Sequence, residues 1–358
     1  MDVALVASLV SPIRSAEANG PHAVIVDLAA GLEERGHRVT VYAAAGSRVP
    51  PGRLVEIPVA SGAGDASIQP GRPPASAANH ALRHGFERLF AAVRRGEHDV
   101  VSQHAFDAEA LELCAGLRVL HTLHLPPIVP AVTSAARATR APLATVSAAS
   151  RRQWADVGVD AAVVLPNGVP DRGWSRRDPD AVALVAGRIS PEKGTATALR
   201  ASLAAGLRPW VAGDRYDGTY FEEEVRPLLA DADDLGAVPR RQLAELMGRS
   251  AVLVMPIEWE EPFGLVAAEA QMAGCPVVAY RRGALPEVVE DGVSGVLVEP
   301  GDERGLVEAI GRARRLNRQA VRRSALERLH VSRMLDAYER ALRRLVRAAQ
   351  PAHHLAHA

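Results

Sequence analysis

The sequence predicts an α/β protein made of two Rossmann-like domains, each a parallel sheet covered by helices. Apolar runs of strand length alternate nearly throughout with amphipathic patterns of helical period. The chain has 358 residues, which is too long for one ordinary core and suits two domains of about 150 residues each. Hydrophobic residues make up 48% of it, enough for two packed cores and too many for an intrinsically disordered protein.

The first domain is assigned to residues 1–170. A strand over Asp2–Leu9 leads through a loop to a helix from about Gly20 to Arg35, and the stop signal Gly36-His37 precedes a strand over Arg38–Tyr42. Further strands are predicted near Leu54–Ile57, Val100, Leu117–Thr122, Leu143–Val146 and Ala162–Leu165.

One predicted helix of this domain has a basic face. Its apolar residues recur at the spacing of a core-facing stripe: Leu82, Phe86, Leu89 and Val93. Its other side carries four arginines: Arg83, Arg88, Arg94 and Arg95. Such a face can contact anionic lipid, but it is more often simply solvated, so peripheral membrane contact is not favoured.

The second domain is assigned to residues 171–330. A polar linker over Asn167–Asp180 spans the boundary between the two domains. A strand over Ala181–Ala186 enters the loop Gly187–Gly194, and a helix runs from there to about Ala205. Further strands are predicted near Pro209–Ala212, Ala251–Met255, Pro276–Tyr280 and Gly295–Val298. A final helix is expected within residues 331–350, and the tail, residues 351–358, is expected to be disordered.

Charge, cysteine content and hydropathy exclude several protein classes. The formal net charge is zero, so the basic footprint of a nucleic-acid binder is missing. Cys114 and Cys275 stand in apolar contexts without metal-like spacing, and we expect buried free thiols in a reducing cytoplasm. No basic leader precedes the first apolar run, and no stretch approaches 18 apolar residues, so neither a signal peptide nor a membrane span is predicted.

The strongest chemical signal is the segment Glu-Pro-Phe-Gly-Leu-Val-Ala-Ala-Glu-Ala, which begins at Glu261. A helix is predicted to start near Gly264, so the free N–H groups of Phe263, Gly264 and Leu265 would form an anion site reinforced by the helix dipole. Glu261 and Glu269 flank that site, and an ionised carboxylate can accept two bonds from a vicinal diol. The alternative is that Glu261 caps the helix and Glu269 is an ordinary surface residue.

The second signal is the loop Gly187–Gly194, at the point where a strand hands over to a helix. Its side chains point to the carboxyl end of the strand, where open α/β sheets bind ligands. Arg188 can bind phosphate oxygens with two parallel bonds, and Lys193 supplies a compact, mobile charge. A turn with incidental surface charges is the alternative, but Lys193 is the single lysine among 42 basic residues. The composition therefore favours a requirement for an ammonium group at position 193.

These motifs resemble glycosyltransferase family 4, which includes sucrose synthases and phosphatidylinositol mannosyltransferases. The matching stretches are Gly187–Gly194, Val254–Gly274 and residues 282–292. The resemblance covers nearly the whole chain and is specific mainly in the second half. It implies the GT-B fold: two Rossmann-like domains whose parallel sheets face a central cleft, with the C-terminal helix crossing back to the N-terminal domain.

The resemblance also implies roles for single residues. In that family the first glutamate of the E-x7-E motif contacts the donor sugar, the second holds the nucleotide ribose, and an Arg/Lys pair binds the diphosphate. Carried over, Glu261 becomes a catalytic residue that contacts the donor sugar together with Phe263, and Glu269 becomes the ribose ligand. The implied diphosphate ligands are Arg188, Lys193, Gly264, Leu265 and Gly20.

The first domain matches the family less closely. The family usually has Gly-Gly-x-Glu after its first strand, where a helix N-terminus meets the donor phosphate and the acceptor. Asn19-Gly20-Pro21-His22 occupies this place: Gly20 keeps the second glycine, and His22 replaces the acidic residue.

A histidine segment at the end of a predicted strand provides the remaining candidate. His121-Thr122-Leu123-His124 resembles the segment that carries the family's active-site histidine, and the register favours His124 as a catalytic residue at the far edge of the donor sugar. Two histidines three apart could instead bind a metal, or His121 could belong to the core. His104 fits a looser family pattern. Asp231-Ala232-Asp233 matches the D-x-D metal motif of the other glycosyltransferase fold, but we expect a solvated turn there.

The sequence thus predicts a retaining, metal-independent glycosyltransferase that needs no cofactor. It would move a hexosyl group from a nucleotide-diphosphate sugar to a hydroxyl acceptor, a small molecule rather than a membrane lipid. A nucleotide-sugar epimerase or phosphorylase on the same fold is one alternative. A catalytically inactive relative is the other, suggested only by the altered loop Asn19–His22. The predicted partners are small molecules and no nucleic acid, and the sequence carries no signal for an oligomeric state.

Overall fold

The computed structural model describes residues 1–14, 20–49, 52–59, 76–173 and 178–348. The chain divides into two compact units. Unit 1 comprises Met1–Val146, Arg151–Leu165 and the chain from Met334 onward, and unit 2 comprises Ser147–Ser150 and Pro166–Arg333. Asn19 and the tail predicted to be disordered, residues 351–358, lie outside the described residues.

Each unit contains one parallel sheet. The seven strands of unit 1 are β1 Asp2–Val6, β2 Arg38–Ala44, β3 Arg53–Ile57, β4 Val100–Gln103, β5 Val119–Leu123, β6 Leu143–Thr145 and β7 Val163–Val164. The six strands of unit 2 are β8 Asp180–Ala186, β9 Arg208–Ala212, β10 Asp233–Gly236, β11 Ser250–Met255, β12 Val277–Tyr280 and β13 Gly295–Val298.

Helices connect the strands. Those in the first half of the chain are α1 Gly20–Glu34, α2 Ser76–Arg95, α3 Ala108–Glu112, α4 Pro130–Ala138 and α5 Ala148–Asp156. Those that follow are α6 Thr195–Ala204, α7 Gly218–Tyr220, α8 Arg240–Arg249, α9 Leu265–Met272, α10 Leu285–Val288, α11 Glu303–Ala313, α12 Arg318–Arg328 and α13 Val331–Ala348. Short turns of 3-10 or π type occur at Pro191–Lys193, Phe221–Val225 and Arg226–Asp231.

The two sheets have the same strand order. It is β3-β2-β1-β4-β5-β6-β7 in unit 1 and β10-β9-β8-β11-β12-β13 in unit 2. The order reverses between β1 and β4 and between β8 and β11, and ligands of such sheets bind outside the carboxyl ends of the strands at this switch point. The prediction of two Rossmann-like, GT-B-type domains is therefore confirmed.

The sequence pattern explains why these segments became buried strands. All six residues of β11 are buried, and the strand stops where Pro256 removes a backbone donor. On α1, Val24, Leu28 and Leu32 recur at helical spacing and are buried, as are the four apolar residues predicted for α2. Cys114 and Cys275 are buried and free, as predicted.

The prediction of a solvated turn at Asp231–Asp233 is wrong in part. Asp233 begins the edge strand β10, which the sequence analysis missed. Its carboxylate accepts hydrogen bonds from Arg208 at 2.7 and 2.8 Å and from the Trp210 indole at 3.1 Å. These neighbours balance the charge of an otherwise unsuitable strand residue. The predicted β1 was also too long, since the strand ends at Val6.

The basic face of α2 is largely used within unit 1. Arg83 forms an ion pair with Glu112 at 3.1 Å, and Arg94 donates to the carbonyls of Leu113 and Ala115. Arg88 donates to the carbonyl of Pro58. These bonds use three of the four arginines of the basic face. Among the described residues, no helix combines the length and the apolar character that crossing a bilayer demands.

The C-terminal helix α13 returns to unit 1 from Met334 onward, as predicted. Tyr338 and Leu342 are fully buried, which contributes about 1.5–3 kcal/mol for each side chain. The Tyr338 hydroxyl donates to Thr122 Oγ1 at 3.2 Å. Glu339 accepts from Arg343 at 2.6 Å and lies 3.0 and 3.1 Å from Arg35 and His37.

The bonds to Glu339 predict a pH dependence of stability. Its hydrogen bond from Arg343, followed by those from His37 and Arg35, lowers its pKa from 4.5 to about 2. A carboxyl group whose pKa is lower in the folded state stabilises that state at pH values above its unfolded pKa. This contribution is lost as the pH falls toward the folded pKa. Glu339→Gln should therefore lower the melting temperature at neutral pH. The difference from wild type should shrink between about pH 4.5 and about pH 2.

The matched control is Glu327→Gln. Glu327 is exposed on α12 and forms no ion pair within the described residues, so its variant should melt like the wild type throughout. Melting curves recorded as a function of pH would measure both effects. A Glu339→Gln difference that persists unchanged at acidic pH would show that the carboxylate does not hold α13.

Candidate functional site

Four loops meet at the carboxyl edge of the sheet in unit 2. They follow β8, β9, β11 and β12, and backbone hydrogen bonds tie them together. Glu258 N donates to Glu192 O at 2.9 Å, which joins the β11 loop to the β8 loop. Ile189 N donates to Asp214 O at 2.8 Å, and Ala284 N donates to Glu261 O at 2.8 Å. The loops therefore form one network rather than independent segments.

Glycines allow these loops to approach backbone to backbone. A Cβ at Gly213 would lie 1.7 Å from the carbonyl oxygen of Gly187, and one at Gly194 would lie 2.1 Å from that of Pro256. A Cβ at Gly283 would lie 2.4 Å from Glu261 N. Gly194 and Gly283 also have φ angles of 65° and 57°, which other residues rarely adopt.

Lys193 and Glu261 form an ion pair at the centre of this network. Lys193 Nζ lies 2.7 Å from Glu261 Oε2, and the Trp259 indole donates to the same oxygen at 2.8 Å. The ammonium group also lies over the Trp259 ring, 4.8 Å from its centroid. Separate ligand contacts were expected for Lys193 and Glu261, but in the structure the two side chains contact each other.

Glu261 is held in its ionised form. Burial alone would raise its pKa, but the charge and hydrogen bond of Lys193, the Trp259 donor and the charge of Arg188 lower the pKa below the ordinary value. Both hydrogen bonds go to Oε2. Within the described part of the chain, Oε1 accepts none, so one oxygen of a fixed carboxylate is left for a ligand.

Arg188 lies on the same loop as Lys193. Its Nη2 is 3.5 Å from Glu192 Oε1, and its guanidinium carbon is 4.6 Å from the centroid of the Tyr216 ring. Its side chain is 42% exposed, so it keeps access to a ligand from solvent. The loop therefore presents two cations, Lys193 half-buried and paired with Glu261, and Arg188 exposed on the surface.

The helix α9 begins where the sequence predicted it. Gly264 is its N-cap with a φ of 90°, and no side chain of the described residues caps the helix. Its first-turn N–H groups, beginning at Leu265, have no intrahelical carbonyl to bind, which is the geometry expected of an anion site. Phe263, immediately before it, is buried with 6% exposure.

Glu269 on α9 has a partner that the sequence analysis missed. Arg240 Nη2 lies 2.8 Å from Glu269 Oε1, with side-chain exposures of 12% and 17%. Arg240 is the first residue of α8, which follows the carboxyl end of the unpredicted strand β10. Recognition of that strand would have placed Arg240 at the same sheet edge as the other candidates.

Unit 1 has its own polar cluster at the carboxyl ends of β4 and β5. His104 Nδ1 lies 2.9 Å from His124 Nε2, and His104 Nε2 lies 2.9 Å from Ser102 Oγ. Burial lowers the pKa of His124 to about 4. Burial and the neighbouring His124 together lower the pKa of His104. His121 instead lies 3.3 Å from Cys114 Sγ, so the two segment histidines bind different partners.

The loop before α1 retains its glycine. Gly20 is the first residue of α1, and His22, which stands where the family has an acidic residue, is buried. Burial lowers the pKa of His22 to about 4, so it is a neutral side chain at neutral pH. Asp107 of unit 1 was not among the candidate residues identified from the sequence. Burial raises its pKa to about 7, and its carboxyl group accepts a hydrogen bond from Ser8 Oγ at 2.9 Å.

Two family models match this chain in succession. Residues 18–172 match Glycosyltransferase Family 4, and residues 171–325 match Glycosyl transferases group 1. The chain is 33% identical over 228 residues to a D-inositol 3-phosphate glycosyltransferase of Nocardioides sp., covering 54% of this chain and 49% of that protein. It is 31% identical over 183 residues to a glycogen synthase of Mycobacterium tuberculosis, covering 47% and 44%. The matched stretch thus spans less than half of these relatives.

Solved structures share the fold over nearly the whole chain. A sucrose-phosphate synthase from Thermosynechococcus elongatus superposes with a TM-score of 0.77 at 18% identity, covering 98% of this chain and 100% of that one. A glycosyltransferase involved in avilamycin A biosynthesis gives 0.73 at 22% identity, covering 98% and 99%. Anabaena HepE in complex with UDP-glucose gives 0.72 at 19% identity, covering 96% and 99%.

The close approach of the loops predicts an unequal pair of glycine substitutions. Gly213→Ala places its Cβ against the carbonyl oxygen of Gly187, and such overpacking costs about 1–3 kcal/mol of unfolding free energy. Gly248→Ala is the matched control, because nothing lies within 4 Å of its Cβ and it sits in α8. Gly248→Ala should leave the free energy of unfolding unchanged or raise it by about 0.5–1 kcal/mol. Equal denaturation midpoints for the two variants would contradict the observed packing.

Proposed function

Since the chain belongs to glycosyltransferase family 4, we propose that it moves a hexosyl group from a nucleotide-diphosphate sugar to a hydroxyl acceptor, with retention of anomeric configuration. The observation that carries the proposal is the Lys193–Glu261 ion pair at the carboxyl edge of the sheet in unit 2. It holds a cation and an ionised carboxylate 2.7 Å apart, beside the uncapped N-terminus of α9.

The positive groups suit a leaving diphosphate. As the bond to the sugar breaks, negative charge grows on the phosphate oxygen, and charges already in place stabilise this state most effectively. Glu261 and the Trp259 ring hold the ammonium group of Lys193 in place before any ligand arrives. Arg188 and the N–H groups at the start of α9 supply further donors. We therefore propose that the reaction requires no metal ion.

The two glutamates suit the neutral parts of the donor. Oε1 of Glu261 accepts no bond within the described residues, so it can accept from a sugar hydroxyl while Oε2 stays on Lys193. In the same way, Arg240 donates to Oε1 of Glu269. Within the described residues Oε2 accepts no bond, so it can accept from a ribose hydroxyl. Each carboxylate is thus oriented by one oxygen and binds by the other.

Retention follows from attack on the same face of the sugar that the diphosphate leaves. The acceptor oxygen forms the new bond to the anomeric carbon as the old bond to phosphate oxygen breaks. That phosphate oxygen takes the acceptor's proton, so the step requires no protein nucleophile. We propose a small-molecule acceptor and a cytoplasmic location, as the sequence analysis predicted.

A donor screen followed by product analysis tests the proposal. Thermal-shift measurements with nucleotide sugars, UDP-glucose among them, should identify a stabilising donor, since a ligand at 100 times its Kd adds about 2.7 kcal/mol. NMR of the product formed with that donor should show the donor's anomeric configuration, and EDTA should leave the rate unchanged. An inverted product, or activity abolished by EDTA, would reject the mechanism; conversion of the donor without an acceptor to an epimer would favour the epimerase alternative.

Lys193→Arg tests the cation site. Arginine keeps the charge, but its planar guanidinium cannot occupy the point 2.7 Å from Glu261 where the ammonium sits. Loss of one preorganised donor typically lowers the rate about 100-fold, and arginine substitutes in part, so we expect a fall in kcat/KM of roughly tenfold or more. Steady-state kinetics with the identified donor would measure it.

Arg200→Lys is the matched control, because it makes the reverse exchange at an exposed ion pair with Glu303 on unit 2. Surface substitutions of this kind usually change stability by no more than about 0.5 kcal/mol, and its kinetics should equal those of the wild type. A fully active Lys193→Arg enzyme would show that the single lysine does not bind the diphosphate.

A further inference from the structure

Ser102, His104 and His124 form a continuous hydrogen-bonded chain in unit 1. Ser102 Oγ lies 2.9 Å from His104 Nε2, and His104 Nδ1 lies 2.9 Å from His124 Nε2. The three side chains are 0%, 2% and 5% exposed. Both ring nitrogens of His104 are thus occupied. His124 uses one nitrogen, and its Nδ1 forms no hydrogen bond within the residues that the structure describes.

The ring of His104 is held in one orientation. It stacks against His124 with centroids 5.2 Å apart and against Tyr338 with centroids 5.6 Å apart. Tyr338 is itself fixed by its hydrogen bond to Thr122. Because the neighbouring rings restrict rotation, the two nitrogens of His104 keep their separate partners.

Both histidines are neutral at neutral pH. Burial, and for His104 also the proximity of His124, lowers their pKa values, that of His124 to about 4. A neutral imidazole carries one ring proton, so it donates from one nitrogen and accepts at the other. His104 therefore donates toward one neighbour and accepts from the other, and the choice fixes where His124 carries its proton.

The Ser102 hydroxyl determines the direction of the chain. It is fully buried, and His104 Nε2 is its hydrogen-bond partner within the described residues. If His104 donated to Ser102, the hydroxyl proton would have no acceptor, and an unsatisfied buried donor costs about 1–3 kcal/mol. Ser102 therefore donates to Nε2, and His104 donates from Nδ1 to His124 Nε2. The proton of His124 then lies on Nδ1.

We propose that Ser102 and His104 are positioning residues that fix His124 as the Nδ1–H tautomer, so that the nitrogen left for a ligand is a neutral hydrogen-bond donor. The ligand atom it suits is an acceptor oxygen of an uncharged group, such as a sugar hydroxyl or ring oxygen. The choice of a sugar as the ligand rests on the proposed function; the tautomer does not.

The tautomer can be measured directly on the full-length protein without substrate. Long-range ¹H–¹⁵N correlation spectra of protein labelled with ¹⁵N-histidine distinguish protonated from bare ring nitrogens. His124 is assigned from the signals that disappear in His124→Gln. We expect Nδ1 of His124 to be protonated and Nε2 to be bare at neutral pH. Protonation of Nε2 instead would overturn the proposal, and once His124 is assigned the wild-type spectrum decides this.

Two substitutions of His104 separate positioning from packing. His104→Asp replaces the donor by a carboxylate that only accepts, so the proton of His124 should move to Nε2. His104→Phe keeps a ring against Tyr338 but removes both nitrogens; the melting temperature should stay closer to wild type than in His104→Asp, and the single tautomer should be lost. A His124 spectrum that is the same in wild type and both folded variants would show that His104 does not position it.

These outcomes are independent of the proposed reaction. Finding the Nε2–H tautomer would overturn the positioning proposal but not the proposal of glycosyl transfer, because the measurement involves no substrate. Failure to find any sugar donor would leave the tautomer assignment intact. With a donor in hand, His104→Asp should lower kcat roughly tenfold or more, by analogy with other partners that orient a functional histidine. The Kd of the nucleoside diphosphate should stay unchanged, since neither His104 nor His124 is among its proposed ligands.

Discussion

The proposed donor site depends on the close approach of loop backbones at the carboxyl edge of the sheet in unit 2. Gly213, Gly194 and Gly283 each stand where a Cβ would meet another loop's backbone at 1.7–2.4 Å. This close approach brings Lys193, from the loop after β8, within reach of Glu261, from the loop after β11. The positions of the charged side chains therefore depend on how closely the loop backbones pack.

This arrangement explains how opposite charges persist in a largely buried place. Removing a charge from water costs several kcal/mol, and a single partner seldom offsets that cost. Glu261 has the ammonium group of Lys193 and the indole of Trp259 on one oxygen, and Lys193 lies against the face of the same indole. The ion pair therefore fixes the positions of the two charged groups rather than adding to the stability of the fold. Under the proposed function, a donor that carries phosphates and hydroxyls would enter a site whose charges require little reorganisation.

The sequence predicted features that follow from local pattern and missed those that follow from contacts between distant segments. The alternation of apolar runs with helical stripes predicted both sheets, and the single lysine and the glutamate motif identified the residues that meet after β8 and β11. The edge strand β10 was missed because Asp233 and Asp234 make it polar, and only Arg208 and Trp210 reveal how Asp233 is accommodated. Without that strand nothing in the sequence related Arg240 to Glu269.

The two units also differ in the charge of their buried polar groups. In unit 2 the candidate residues are ionised and paired, as Lys193 with Glu261 and Arg240 with Glu269. In unit 1 burial lowers the pKa values of His22, His104, His121 and His124 and raises that of Asp107 to about 7, which favours their neutral forms. A diphosphate requires fixed positive charges, whereas a hydroxyl group can donate to an ionised carboxylate or accept from a neutral donor. Under the proposed function, unit 2 therefore supplies the cations for the diphosphate and the carboxylates for the sugar and the ribose, and His124 of unit 1 supplies a neutral donor.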